Sequence, residues 1–434
     1  MRKRRWLGVV AAAASAVLVA GCGGGGSVQE WVAATAAPLV TADPRAPLDD
    51  LGPLRAAVGG AGVGGAGVGG VEVGGVEVVG LGESVHGAAD ELTLKHRALR
   101  VLVEQAGFRS VAWEEDWTTG RRIDEYVTTG VGDADELVRA MSPQWQSREV
   151  ADVLRWLREV NAGRTDKVRF VGVEYYLTGQ GAYDALDAYV AAAAPQRLAE
   201  LREHLRLLRP ASADVFEHIQ SLAAVPDKQS YVRAARAVYD LVSGLPTATG
   251  DEEQTARQIV SFYEHVALPE DESHAYRDAR AAENLERWRA RTDHKIAYWA
   301  ASPHTANASA LRISSPEGQI RFRSVGSHLR ERLGTRYLSI GFTFGRGSVS
   351  AGGGQAVPLP AADEGWFEHP LGLAGHERFL LDLRAPAPPV VREWLDAPIT
   401  TRGPNGPGSI TDGGTAAAWF DVIVHSRVVG PAAG

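Results

Sequence analysis

The first residues in the chain whose types and spacing could do chemistry are a carboxylate and an imidazole three positions apart. They are Glu83 and His86, in Leu81-Gly82-Glu83-Ser84-Val85-His86-Gly87. A histidine titrates near neutrality, so it can take a proton from water and return it to a leaving group. A neighbouring carboxylate can fix its tautomer and stabilise the imidazolium. Further along stand Glu114 with Glu115, Glu174, and His304. A second histidine or an arginine could steady the charge developing on an attacked carbonyl oxygen. No Gly-x-Ser-x-Gly nucleophile elbow occurs, and Ser84 reads as a polar turn residue. Attack by water without a covalent intermediate therefore suits this set better than acyl-enzyme chemistry. The same groups could in principle ligate zinc, but their spacing matches no common signature such as His-Glu-x-x-His. No metal or other cofactor is expected. His96, His265, His294, His369 and His425 carry no spacing argument and read as surface or satisfied core.

For these groups to meet, strands must deliver them to one place. Val76 to Val79 is a short β-branched run ahead of Glu83, and Ala88 to Ala106 has helical spacing at Leu92, Leu99, Leu102 and Val103, with Gly107 as its stop. Arg109 to Trp113 predicts a second strand ending at Glu114, and Lys167 to Val173 a third ending at Glu174. Helices are expected at Thr119 to Val127, Asp135 to Ala140 and Val150 to Ala162. From Gly181 to about Arg291 strand signals vanish, and helical patterns broken by Pro210, Pro226, Pro246 and Pro269 take over. The last of these helices, from about Glu272 to Arg291, carries Arg277, Asp278, Arg280 and Asn284, with Arg277 and Asn284 on one face. Lys295 to Trp299 resumes the strands and leads to His304. Tyr337 to Phe344, followed by a Gly-rich turn at 345–348, then Phe379 to Leu383 and Phe420 to Val424, complete them. Pro386 to Pro407 reads as proline-rich surface chain.

This rhythm predicts an α/β fold: a central, mostly parallel sheet flanked by helices, with an all-helical insertion. Residues 76–180 and 292–434 would form the core and 181–291 the insertion. In an open sheet of this kind ligands bind outside the carboxyl ends of the strands. That is where Glu83, Glu114, Glu174 and His304 would converge.

The N-terminus reads as an export signal. Arg2-Lys3-Arg4-Arg5 precedes a short apolar run, Leu7 to Ala20, which ends in Gly21-Cys22. That ending is similar to a bacterial lipoprotein signal, in which Cys22 becomes the lipid-bearing first residue. The protein would then sit on the cell membrane, facing the extracellular side. Cys22 is the sole cysteine, so no internal disulfide can form. Residues 23–75 read as a flexible tether, with a helix-like stretch at Val28 to Val40, a short helix at Leu51 to Val58 and a glycine-rich run from Gly59 to Gly75. A hydrophobic content of 45% fits a globular body, and a net charge of -8 argues against a nucleic-acid partner. Nothing in the residues sets the oligomeric state.

In series, several of these segments resemble the erythromycin esterases. They are Gly82-Glu83-Ser84-Val85-His86-Gly87, the stretch from Gly107 to Glu114, Arg277 to Asn284, the Trp299 to His304 turn, Gly341 to Gly347, and Trp419 to Val422. The resemblance implies hydrolysis of a small-molecule ester or macrolide lactone by a His-activated water, with no required metal. It implies His86 as general base, Glu83 and Glu114 as the acids that orient it and the water, and His304 as the second histidine of the family's His-Asn-x-His turn. Lys95 stands where the family has a basic residue, with Arg97 close by as an alternate. Glu174, Arg277 and Asn284 join them as expected substrate contacts. The sequence departs from the pattern at Ala301 and Ser302, where the family has His and Asn. Two other readings stay open at this point: a ligand-binding envelope protein that has lost the chemistry, and a metal-dependent hydrolase.

Overall fold

The computed structural model describes residues 26–59, 75–212, 214–246, 250–316, 318–350 and 355–434. The signal, Cys22 and most of the glycine-rich run lie outside the described residues.

Nine strands form the central sheet. In spatial order they are Ala37–Pro38, Arg378–Asp382, Val422–Val429, Tyr337–Ser350, Val78–Glu83, Ile296–Ala301, Ser110–Asp116 and Arg169–Glu174, with Ala356–Leu359 paired to Tyr337–Ser350. The six strands from Val422–Val429 to Arg169–Glu174 run parallel, and Arg378–Asp382 and then Ala37–Pro38 join one side antiparallel. The central strands are apolar throughout because both faces are covered. Alternation assigns each side chain to a face. Val79, Leu81, Val111, Trp113 and Trp299 pack with the helices Ala89–Gln105, Trp117–Thr129 and Arg148–Asn161. Val78, Ala112, Ile296 and Tyr298 pack on the other side with Ala281, Leu285 and Trp288 of the long helix Glu270–Thr292 and with Val325 and Leu329.

Between Gln180 and Thr292 the regular elements are helical, and five of the helices share an apolar core that includes Leu186, Leu201, Leu205, Val238, Leu241, Ile259 and Phe262. The last helix leaves this group and lays Ala281 and Leu285 on the sheet.

Four local expectations change. The stretch expected to be a tether is folded in its described part: Val28–Thr35 and Gly52–Val58 are helices, and Leu51, Leu54 and Val58 are buried. The Gly-rich turn at 345–348 is instead the continuation of one long strand, Tyr337–Ser350, whose glycines admit the neighbouring backbone. The proline-rich chain at 386–407 holds a helix, Pro389–Asp396, and a strand, Pro398–Arg402. That strand belongs to a second, antiparallel sheet with Ile410–Thr415, Leu311–Ser315 and Gly318–Phe322. Finally, the first core strand runs through Glu83 rather than stopping before it.

Candidate active site

Glu83 is the last residue of a central strand, opposite Ala301 on one side and Phe342 on the other. The strand reaches this depth because Gly82 has no side chain. A Cβ there would meet Ser302 Cα at 2.7 Å and collide with Thr305 Oγ1. Gly87 ends the turn at φ 80°, a left-handed conformation that suits glycine. Between them, His86 Nδ1 lies 3.0 Å from Glu83 Oε1. The second oxygen of Glu83 accepts from the Lys95 ammonium, which also donates to the Ala300 carbonyl at 3.2 Å and stands 4.2 Å over the Trp299 ring. Lys95 is fully buried, and burial pushes its pKa down while Glu83 and Glu91 pull it back. It steadies Glu83 from within the protein and does not reach the solvent side.

A carboxylate only accepts, so the proton of a neutral His86 belongs on Nδ1 and Nε2 presents a lone pair. The imidazole edge meets Trp145 at 5.3 Å, and its side chain is 22% exposed. It opens on a pocket of about 430 Å³ that is also lined by Pro143, Gln146, Ser350, Pro404 and Asn405. The loop carrying Pro404 is fastened there, since its carbonyl accepts from the His86 backbone N–H at 3.2 Å.

A second group lies beside the first. Arg277 donates to Glu114 at 2.9 Å and to Glu174 at 3.0 Å, and its guanidinium stacks on Tyr176 at 4.5 Å. Glu114 reaches it through an irregularity in its strand between Trp113 and Asp116, which turns Glu114 inward and leaves Glu115 to accept from Ser142 N–H at 2.7 Å. The other oxygen of Glu114 accepts from the Ala301 N–H at 2.9 Å. His304 Nδ1 is 2.9 Å from Asp278, which also accepts from the Val325 N–H at 2.9 Å, and His304 Nε2 is 3.4 Å from Glu114.

These contacts set the charges. Burial alone would raise Glu114, but His304, Arg277 and His86 outweigh it and hold the carboxyl down at about 2. Burial would depress His304, yet Asp278 and Glu114 overcome it and lift the imidazole to about 9. Burial pushes Glu174 up despite Arg277. At neutral pH the site therefore holds an imidazolium at 304, a guanidinium at 277 and a carboxylate at 114, next to the His86–Glu83 pair.

Of the residues singled out in the sequence, Glu83, His86 and Lys95 form one hydrogen-bonded group, and Glu114, Glu174, Arg277 and His304 the other. Arg97 lies elsewhere. It is fully buried and bonds Asp50, the Thr41 carbonyl and the Pro47 carbonyl, so it fastens the N-terminal segment rather than a ligand. Asn284 is also spent on packing: its amide donates to the Val173 carbonyl at 2.8 Å and accepts from Gln254 at 2.8 Å. Sequence reasoning gave no role to Asp278, although it adjoins Arg277, nor to Trp145 and Tyr176. The aromatics carry no spacing signal, because their place depends on a loop and a strand end meeting in space. Among the described residues, no group of three or more His, Cys, Asp or Glu is arranged to hold a metal ion.

Residues 103–427 match the family model described as erythromycin esterase, a span that includes Glu114, Glu174, Arg277 and His304 and begins after His86. Erythromycin esterase type II from Escherichia coli is 29% identical over 155 residues, which are 36% of this chain and 33% of that protein. The match thus spans a third of that relative's length. Among solved structures, a Bacillus cereus protein is 27% identical with a TM-score of 0.78, covering 93% of this chain and 98% of that one. A protein described as a succinoglycan biosynthesis protein is 25% identical with a TM-score of 0.78, at 94% and 97% coverage. An erythromycin esterase mutant in its open conformation shares the fold, with a TM-score of 0.63 at 19% identity over 83% of this chain and 92% of that one.

Proposed function

Because the chain belongs to the erythromycin esterase family, we propose that it hydrolyses an ester or lactone of a small molecule with a water activated by His86. The observation that carries this reading is the 3.0 Å contact of His86 Nδ1 with Glu83, which leaves Nε2 as the free base beside a pocket. His86 Nε2 takes a proton from water as the hydroxyl oxygen bonds to the carbonyl carbon. The oxyanion that forms is met by the imidazolium of His304 and by Arg277. On collapse the carbon–alkoxide bond breaks and His86 returns the proton to the leaving oxygen, giving acid and alcohol, or a hydroxy acid from a lactone. Glu83, held by Lys95, stabilises the His86 imidazolium between these steps.

The experiment is hydrolysis of an ester and macrolide panel by the wild type and His86→Ala. A drop of roughly a hundredfold or more is expected from the loss of the base, and equal rates would remove the enzyme reading. One observation favours a second reading, a ligand-binding protein without turnover. Ala301 stands in the position of a family histidine, and its methyl group can neither donate a hydrogen bond nor move a proton. Saturable binding of a macrolide with no product formed would select that reading. We further propose that Cys22 carries the lipid that holds the protein on the outer face of the cell membrane; Cys22→Ser should move it from the membrane to the soluble fraction.

A further inference from the structure

Glu91 is only 1% exposed and lies in the first turn of the helix Ala89–Gln105, yet neither the base nor the second charged group uses it directly. Its carboxyl reaches back over the start of the helix. One oxygen accepts from the Ser84 N–H at 3.3 Å and from the Ser84 hydroxyl at 2.7 Å, and the other accepts from the Val85 N–H at 3.3 Å. All three bonds go to the two residues that separate Glu83 from His86. The residue that caps this helix, Ala88, has no side chain that could serve those donors. A carboxyl group is costly to bury, and burial raises this one to about 8 although the Ser84 and Val85 donors pull it down.

From this geometry we infer that Glu91 is the positioning residue of the base: it sets the Glu83–His86 turn, and through it the direction of the imidazole. The inference rests on the reading of His86 as the base. Glu91 and Lys95 are four residues apart on one helix face. Lys95 holds the Glu83 carboxylate and Glu91 holds the chain that follows it. Gly87 is fixed independently, its carbonyl accepting from the Ser350 and Ala432 N–H groups at 2.9 and 2.8 Å. The imidazole thus projects from a turn clamped on both sides. A displacement of about 1 Å at a reacting group can cost on the order of a hundredfold in rate.

The test is Glu91→Gln in the full chain, with Glu104→Gln at the exposed end of the same helix as control. Three quantities are read: the unfolding midpoint, the ring nitrogen resonances of His86, and kcat and KM on the ester that the wild type cleaves best. The amide keeps the size but sets an NH2 group against backbone N–H donors. The expected result is a folded variant in which the His86 resonances no longer report one Nδ1–H tautomer. Its kcat should fall roughly 10- to 100-fold with KM little changed, while Glu104→Gln matches the wild type. A folded Glu91→Gln protein with wild-type His86 resonances and kcat, differing only in its unfolding midpoint, overturns the inference. If the wild type cleaves no ester, the hydrolase reading fails, and the His86 resonances alone decide the positioning. Should Glu91→Gln not fold, Ser84→Ala removes only the 2.7 Å bond. The His86 resonances then shift in the folded protein if Glu91 sets the turn, and unchanged resonances overturn the inference.

Discussion

Glu83 and Asp278 each hold a histidine by its Nδ1, yet His86 and His304 have different surroundings. His304 also faces Glu114, and the two carboxylates outweigh its burial to keep it protonated up to about 9. Its folded pKa lies above the unfolded value, so the stability it contributes is fully present below about 6.5 and is lost as pH rises through about 9. Turnover that depends on the imidazolium should fall over the same alkaline range. In Asp278→Asn that limb should move toward neutrality, because an amide cannot balance the charge; a pH–kcat profile with an unmoved alkaline limb would count against His304 as the cation. Glu114 behaves in the opposite sense. Its pKa is lowered, so its contribution is present above about 4.5 and is lost only as pH falls toward about 2. Lys95→Met tests the other half of the site. Methionine fills similar space but leaves Glu83 buried without its ammonium, and removing one partner of a buried pair costs roughly 3–5 kcal/mol. Denaturant titration should show that loss, and the surviving folded protein should have a reduced kcat. The pairing of Glu83 with His86 could be anticipated because three positions separate them, whereas Lys95, expected to meet a substrate, is buried against Glu83 instead. Asp278 could not, since its partner His304 lies 26 residues away, beyond the end of a strand.

At the scale of the element, the strand ends make the site possible. Each of four parallel strands delivers one ionisable group at or just beyond its carboxyl end, and the short helix Ser302–Thr305 packs down onto Gly82 to bring His304 into line. A methyl group at residue 82 must displace that helix. Gly82→Ala should therefore destabilise the protein by about 1–3 kcal/mol through overpacking, and should lower activity by shifting His304. Thermal unfolding and kcat measured together check this, and a stable, active variant would mean that the turn can yield. These strands were legible as continuous apolar runs. The second sheet was not: Leu311–Ser315 and Gly318–Phe322 alternate with Arg, Ser and Gln, and only their pairing with Ile410–Thr415 marks them as strands. The stretch at 386–407 misled for a related reason. Proline starts the helix Pro389–Asp396 at a position where its missing N–H costs nothing, so proline density did not mean irregular chain.

Over the whole molecule, residues 26–59 are part of the folded body. Arg97, on the helix that also carries Glu91 and Lys95, reaches outward to Asp50 at 2.7 Å and to two carbonyls of the segment. Arg97→Ala should leave Asp50 unpaired and loosen residues 41–50, costing roughly 3–5 kcal/mol and exposing that stretch to limited proteolysis. Turnover per folded molecule should stay near wild type because Arg97 is not in the site. A loss of turnover without new cleavage would reverse that assignment. Among the described residues no helix is long and apolar enough to cross a membrane. What the sequence alone determined is the class of fold and the closeness of Glu83 to His86. Apolar periodicity is a local property, and the Glu83–His86 spacing survives folding unchanged because the two residues share one turn. What only the tertiary structure decided is which distant charges stand beside that pair. Lys95, not Arg97, meets Glu83, and Asp278, not Asn284, meets His304. Neighbours in sequence point to different faces of a helix, and at His304 and Glu114 the charges brought together outweigh the effect of burial.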